Sequence, residues 1–294
     1  MLTRLFDGAD PFLLSHNGKY YLYCTNEGRA DEGFYVYDSE DLSHWEEKGL
    51  CLDKKDAVGN SWFWAPEVYR YKGKFYMLYS CEVHLEIAVS DSPLGPFRKL
   101  IDHPLRKKEA IDGHLLFDAD GNIYLYFVDL EDGNRIFVGK MSEDLKKIET
   151  EYKTPLIFAE KPWETVDGRV TEGPFVLCHK GLYYLFYSAN NTQCKDYAIG
   201  YAVSKSPLGP FVKYEENPIL HDPLDLHGTG HHSFMPTRDE NRFVCVFHCH
   251  NENPEKFNPR QICLCMSEFE ESAGKDDRFI MLFDEPVRPD LCRK

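Results

Sequence analysis

One pattern recurs five times along the 294 residues and constrains the fold more than any other feature of the chain. It reads DPFLLSHNGKYYLYC from Asp10, APEVYRYKGKFYMLYS from Ala65, DGHLLFDADGNIYLYF from Asp112, EGPFVLCHKGLYYLFYS from Glu172 and HHSFMPTRDENRFVCVFH from His231. Each copy is a short apolar run, a tight turn and a second run rich in Tyr, Phe, Leu and Val, which describes a hairpin. The turn residues Gly18, Gly73, Gly121, Gly181 and Asn241 supply positive φ and recur about every 50–60 residues, a spacing in the range of propeller blades. A third run follows each hairpin: FYVYDSEDLSHW, EIAVSDSPLGPF, IFVGKMSEDLKK, IGYAVSKSPLGPF and ICLCMSEFE. A short fourth strand follows in most copies. Five units of about four antiparallel strands predict an all-β chain folded as a five-bladed β-propeller. A β-sandwich with chance similarity between strands would not repeat five matched hairpins and two SPLGPF turns. No linker-like stretch divides the chain, so residues 1–294 read as one domain. The late run RFIMLF is expected to complete the last blade or to close the ring against the first.

The formal charge of −15 argues against nucleic acid and anionic membrane as partners, because both need a basic face. No apolar run approaches the length of a membrane span. The first residues, MLTRLFDGADPFLL, lack the apolar core of a secretory signal. The ten cysteines are scattered, several of them inside strand-like runs, and read as buried free thiols. A reducing cytoplasm suits such thiols.

The first half of each hairpin is the natural lining of a propeller's central channel. Its start carries Asp10, the Trp64-Ala65-Pro66-Glu67 group, Asp112, Glu172 and the pair His231-His232. Asp-Pro, Asp-Gly and Glu-Gly-Pro are ordinary turn sequences when met singly. Acids at one register of three blades out of five are another matter, since a core does not need them there. Carboxylates converging in a concave site acquire shifted pKa values and do acid/base work. Glycoside hydrolysis uses one protonated acid and one ionised partner. A separation of about 6.5–9.5 Å leaves room for the water of an inverting reaction. A third carboxylate would hold the acid protonated by like-charge repulsion.

In these residues the chain resembles glycoside hydrolase family 43, five-bladed propellers acting on arabinose- and xylose-containing glycans. The motifs that carry the resemblance are AlaAspProPhe, TrpAlaProGluVal, IleAspGlyHis, ThrGluGlyProPhe and GlyThrGlyHisHis, in order on successive blades. The resemblance implies Asp10 as general base, Asp112 as pKa modulator and Glu172 as general acid. It implies that His231 lies near the propeller centre and that Arg260, in AsnProArgGlnIle, contacts substrate. No cofactor is required, although relatives often hold a calcium or a water beside the histidine. His231 is therefore also a candidate metal ligand, for a structural Ca²⁺ with water as its other partners.

Trp64, with Trp62 close by, offers an indole for the C–H face of a sugar, and Phe12 is a candidate for the pocket floor. Glu67 could be a buried structural acid or a substrate contact. Asp129, Asp196 and His248 receive no role. The expectation is an inverting exo-glycosidase that removes terminal α-L-arabinofuranosyl or β-D-xylosyl residues from plant cell-wall oligosaccharides. Its rivals are an endo-acting arabinanase, a glycoside phosphorylase and a non-catalytic sugar-binding propeller. A phosphorylase needs a basic phosphate pocket, and no Arg/Lys pair adjoins the axial motifs. A lectin-like propeller should lack one of the three acids. The partner expected is an oligosaccharide; oligomeric state is left open.

Overall fold

In a computed structural model, which describes residues 1–239, 241–253, 256–272 and 276–288, the chain is an all-β ring. A first strand, β1 (Thr3–Asp7), precedes the blades. Blade 1 holds β2 (Ala9–His16), β3 (Lys19–Thr25), β4 (Gly33–Ser39) and β5 (Glu46–Asp53). Blade 2 holds β6 (Trp64–Tyr71), β7 (Lys74–Cys81), β8 (His84–Ser90) and β9 (Arg98–Lys99). Blade 3 holds β10 (Ile111–Phe117), β11 (Ile123–Asp129), β12 (Arg135–Met141) and β13 (Ile148–Glu151). Blade 4 holds β14 (Thr171–His179), β15 (Leu182–Ala189), β16 (Ala198–Ser204) and β17 (Val212–Lys213). Blade 5 holds β18 (Gly230–Pro236), β19 (Arg242–Cys249), β20 (Gln261–Glu270) and β21 (Arg278–Leu282), with β1 added to it. The hairpin that opens each blade is antiparallel, so the five repeats of the sequence are five blades.

The ring closes at blade 5. The first half of β20 pairs with β1, Leu264 facing Thr3 and Gln261 facing Asp7. Its second half pairs with β21, Met266 facing Leu282 and Glu270 facing Arg278. Two strands from opposite ends of the chain thus share one sheet edge end to end. The RFIMLF run completes the last blade, as one of the two expected arrangements had it, while the strand that ties blade 5 to blade 1 comes from residues 3–7. Phe6 in that strand meets the ring of Tyr37 in blade 1, centroids 4.4 Å apart.

The innermost strands β2, β6, β10, β14 and β18 pack on one another around the axis. All five carry the same irregularity. In each, two residues stand opposite one on the neighbouring strand: between Ala9 and Phe12, Trp64 and Glu67, Ile111 and His114, Glu172 and Phe175, and Gly230 and Ser233. These are β-bulges, and the first bulged residue is left-handed every time: Asp10 (φ 50°), Ala65 (49°), Asp112 (52°), Gly173 (57°) and His231 (47°). Four of the five are not glycine. Each L-residue in that region costs about 1–2 kcal/mol, so a fold that repeats it must hold it from outside. Bulges re-aim the chain, and here each sets one left-handed residue of its blade on the innermost strand.

Removing residues 1–6 takes away the half-buried Leu5 and Phe6 and leaves half of β20 as an open edge. We expect a loss of about 3 kcal/mol, roughly 6–12 °C in the thermal midpoint of a chain this size. Calorimetry checks it.

Candidate active site

What holds the bulges is a ring of hydrogen bonds from blade to blade. The Ala65 amide donates to Oγ1 of Thr25 in blade 1 (2.9 Å), the Asp112 amide to Oγ of Ser80 in blade 2 (3.0 Å), and the His231 amide to Oγ of Ser188 in blade 4 (2.8 Å). The Asp10 amide donates to Nδ1 of His248 in blade 5 (3.2 Å). All four acceptors stand at one register, opposite the residue that precedes the bulge. Each buried amide is therefore satisfied by a side chain, as a buried donor must be.

The two aspartates on this ring sit in different surroundings. Asp10 accepts from the Thr25 hydroxyl at Oδ2 (2.6 Å), and its Oδ1 lies 3.2 Å from the Arg260 guanidinium and 3.3 Å from Nδ1 of His231. Burial acts to raise its pKa, but Arg260 and His231 outweigh burial and hold the carboxyl well below the usual range. Asp112 pairs with no arginine among the described residues. Burial pushes its pKa up, and Asp10 and Glu67 push the same way; His231, at 3.9 Å, and the Gly173 amide oppose them.

Glu172 is one residue ahead of the shared register, and this corrects the sequence reading, which placed it level with Asp10 and Asp112. Gly173 takes the left-handed position instead, against the His231 ring, which a Cβ there would meet in ordinary contact at 3.4 Å. The Glu172 carboxyl accepts from the Tyr197 hydroxyl and from Nδ2 of Asn134, both at 2.9 Å. Burial first, then the charge of Asp112, raise its pKa to about 7 against the pull of His231, Tyr197 and Asn134. His231 lies among all three acids, and their charges raise its pKa although burial works to lower it. The site thus brings together one carboxyl held ionised and one whose pKa is raised to about 7, both acting on the same imidazole.

Arg260 joins Asp10 to Glu27 (2.8 Å) and is largely buried. Trp64 occupies in blade 2 the register position that Glu172 has in blade 4, and its indole lies parallel to that of Trp62, centroids 5.9 Å apart. Trp62, 52% exposed, forms the outer face of the pair. Phe12 lies one layer further along the axis, against Tyr69, and lines a cavity of about 360 Å³ with Phe117, Phe234 and Met235. Glu67, left with two readings by the sequence, lies in that layer and bonds His114 (2.9 Å) and the Tyr69 hydroxyl. It is a structural acid.

The Ca²⁺ expected beside His231 would take that histidine and water as its partners. Among the described residues no group of three or more His, Cys, Asp or Glu side chains could hold a metal ion, and Nδ1 of His231 is engaged by carboxylates.

Sequence reasoning missed Thr25, Ser80, Asn134, Ser188, Tyr197 and His248. His248 is neutral, its pKa pushed down to about 3, chiefly by burial, and it stacks on Tyr197 at 5.6 Å. A signal existed for three of them: the second strands of blades 1, 2 and 4 reach this register as Cys-Thr, Tyr-Ser and Tyr-Ser. Tyr197 had none, since it enters from a loop. The close pass of its ring requires glycine at position 230, where a Cβ would sit 2.1 Å from it.

Residues 5–272 match the family model of Glycosyl hydrolases family 43. The chain belongs to this family. A crystal structure described as an endo-1,4-β-xylanase from Bacteroides thetaiotaomicron superposes with a TM-score of 0.87 at 39% identity, covering 98% of each chain. A β-D-galactofuranosidase of Aspergillus niger is 26% identical over 90% of this chain and 80% of its own length. A β-xylosidase of Xylanibacter ruminicola is 28% identical over 77% and 83%. The family 43 chain is a glycoside hydrolase, and its axial acids are the place to look for its chemistry.

The Tyr197 hydroxyl stabilises the ionised form of Glu172, so Tyr197→Phe should raise the Glu172 pKa by about one unit. A pH titration of the carboxyl in both proteins checks the direction.

Proposed function

We propose that this family 43 glycosidase inverts configuration and removes terminal α-L-arabinofuranosyl or β-D-xylosyl residues from plant cell-wall oligosaccharides. Asp10 acts as general base, Glu172 as general acid and Asp112 as modulator of the acid. The observation that carries this reading is the split in protonation: Asp10 is held ionised by Arg260 and His231, while Glu172 is held protonated up to about 7. An inverting hydrolysis needs that pair. Water lodged against Asp10 loses its proton as its oxygen attacks the anomeric carbon, and the leaving oxygen takes the proton of Glu172. The bond to the leaving group breaks as the bond to water forms. Asp112 keeps negative charge near Glu172 and so keeps the proton on it until transfer. Trp64 and Trp62 offer an aromatic wall across the mouth from the acid, suited to the C–H face of a sugar. Arg260 borders the same space and, besides steadying Asp10, is placed to meet a sugar hydroxyl. The names of the β-xylosidase and endo-xylanase relatives support the pentose class.

Glu172→Gln should lower turnover of a poor-leaving-group pentoside by roughly 10²–10⁴-fold, the worth of a general acid, and spare a dinitrophenyl pentoside that needs no protonation. Asp10→Asn should depress both substrates alike. Near wild-type turnover in either variant ends the assignment. The first-formed sugar, followed by NMR, should have the anomeric configuration opposite to the substrate.

The pH profile follows from the same groups. Glu172 works in its protonated form, present below about 7 and lost as pH rises through that value. Asp10 works ionised, and its lowered pKa keeps it so across the neutral range. The alkaline limb of kcat/KM should therefore fall near pH 7, with no acid limb until the solution is well below the ordinary carboxylate range.

An endo-acting enzyme is the second reading, favoured by the endo-xylanase at 39% identity. Product analysis on a long xylan or arabinan separates the two: single pentoses from the start for exo action, a ladder of oligosaccharides for endo action.

A further inference from the structure

The ring of blade-to-blade hydrogen bonds has one missing acceptor. Blades 1, 2, 4 and 5 present Thr25, Ser80, Ser188 and His248 to the bulge amide of the next blade. Blade 3 presents Val128, at the same register, opposite Ile111. Valine accepts no hydrogen bond. It is fully buried, in the apolar cluster with Ile136, Val176 and Leu185 between blades 3 and 4. The amide it faces is that of Gly173, directly after Glu172. That amide donates instead to Oδ2 of Asp112, at 3.1 Å.

We infer that Val128 is a positioning residue for catalysis: by withholding an acceptor from the Gly173 amide, it commits the Asp112 carboxylate to that amide and so fixes it beside Glu172. Blade 1 shows the alternative arrangement. There Thr25, the counterpart of Val128, accepts from the next blade's bulge amide and donates its own proton to Asp10 at 2.6 Å. The two aspartates share a register and a left-handed backbone. A threonine holds one within its own blade, and a valine leaves the other to reach across to the strand of the acid. The groups facing Asp112 are His231 and Asp10 at the mouth, Glu67 from β6, and Ser80 and Gly173 through backbone bonds. Of the groups around Glu172, Asp112 is the one whose charge acts to keep it protonated. The inference rests on Glu172 as the acid, and it says what orients the residue that serves it.

The test is Val128→Thr, close in volume and matching the arrangement at Thr25, with Val128→Ser as a second form and Val128→Ala as control for lost packing. The first readout is the Gly173 amide in glycine-labelled protein by NMR. It should move upfield in the Thr and Ser variants, as a neutral hydroxyl replaces a carboxylate as acceptor, and stay near its original position in the Ala variant. The second is leaving-group dependence. Turnover of an alkyl pentoside should fall on the order of tenfold in Val128→Thr, a fraction of a general acid's worth. Turnover of the dinitrophenyl pentoside should change less than about twofold, with KM unchanged for both. The Ala variant should lose stability and keep the wild-type ratio of the two substrates. An unmoved Gly173 amide overturns the inference whatever the kinetics, as does a moved amide with a wild-type substrate ratio. A failure of Glu172 as the acid would appear separately, as a Glu172→Gln variant without leaving-group dependence while the Gly173 amide still moves.

Discussion

Each inner strand enters the channel through a left-handed bulge, and four of the five bulge amides donate a hydrogen bond to a side chain on the second strand of the blade before. This repeated constraint connects the sequence repeats to the chemistry. The bulges cost backbone energy at Asp10, Ala65, Asp112 and His231, and the neighbouring blade offsets that cost by satisfying an amide that would otherwise be buried unpaired. No blade can adopt the geometry alone. The last acceptor, His248, meets the first bulge at Asp10 across the junction of blades 5 and 1, where β1 also pairs with β20. The site is therefore a property of the closed ring and not of any one motif.

On this fivefold frame the electrostatics are unequal. Equivalent aspartates end with pKa values moved in opposite directions, because Arg260 reaches Asp10 while His231 is the cation that bears on Asp112. The imidazole among the acids tempers their mutual repulsion without neutralising all three. Below the acid layer, Glu67, His114 and Tyr69 form a second polar layer, in which His114 also takes the Val176 amide at Nε2 (3.1 Å). Beyond it Phe12 meets Tyr69, Phe175 meets His114, and Phe234 meets Phe175 in aromatic contacts. Asp10, Asp112 and Glu172 are all buried, which is the condition for desolvation to act on them.

The blades were legible in the sequence because each hairpin carries its own turn chemistry and its own apolar runs, and five copies leave little room for another fold. Asp10, Asp112 and Glu172 were legible for the same reason: acids recur where a core has no use for them. The one-residue offset of Glu172 was not, because pattern alone does not show which residue of Glu-Gly-Pro takes the left-handed position. The partners were harder still. Tyr197 and Asn134 approach Glu172 from irregular segments that no period marks, and Arg260 finds Asp10 across 250 residues. Glu67 read ambiguously, since its acid sits in a motif shared with the site while its side chain belongs to the layer beneath. The closing strand at residues 3–7 was missed because it is short and matches no blade.

Glu172 holds its proton near neutrality while Asp10, which acts on the same His231, has lost its own. A carbon-13 titration of the labelled side-chain carboxyls, assigned with the Glu172→Gln and Asp10→Asn variants, reads both groups without any substrate. The account predicts a Glu172 midpoint near 7 and an Asp10 signal already in its ionised position at about pH 5. A Glu172 carboxyl that titrates with the ordinary surface glutamates, or an Asp10 that is still protonated at that pH, would contradict it.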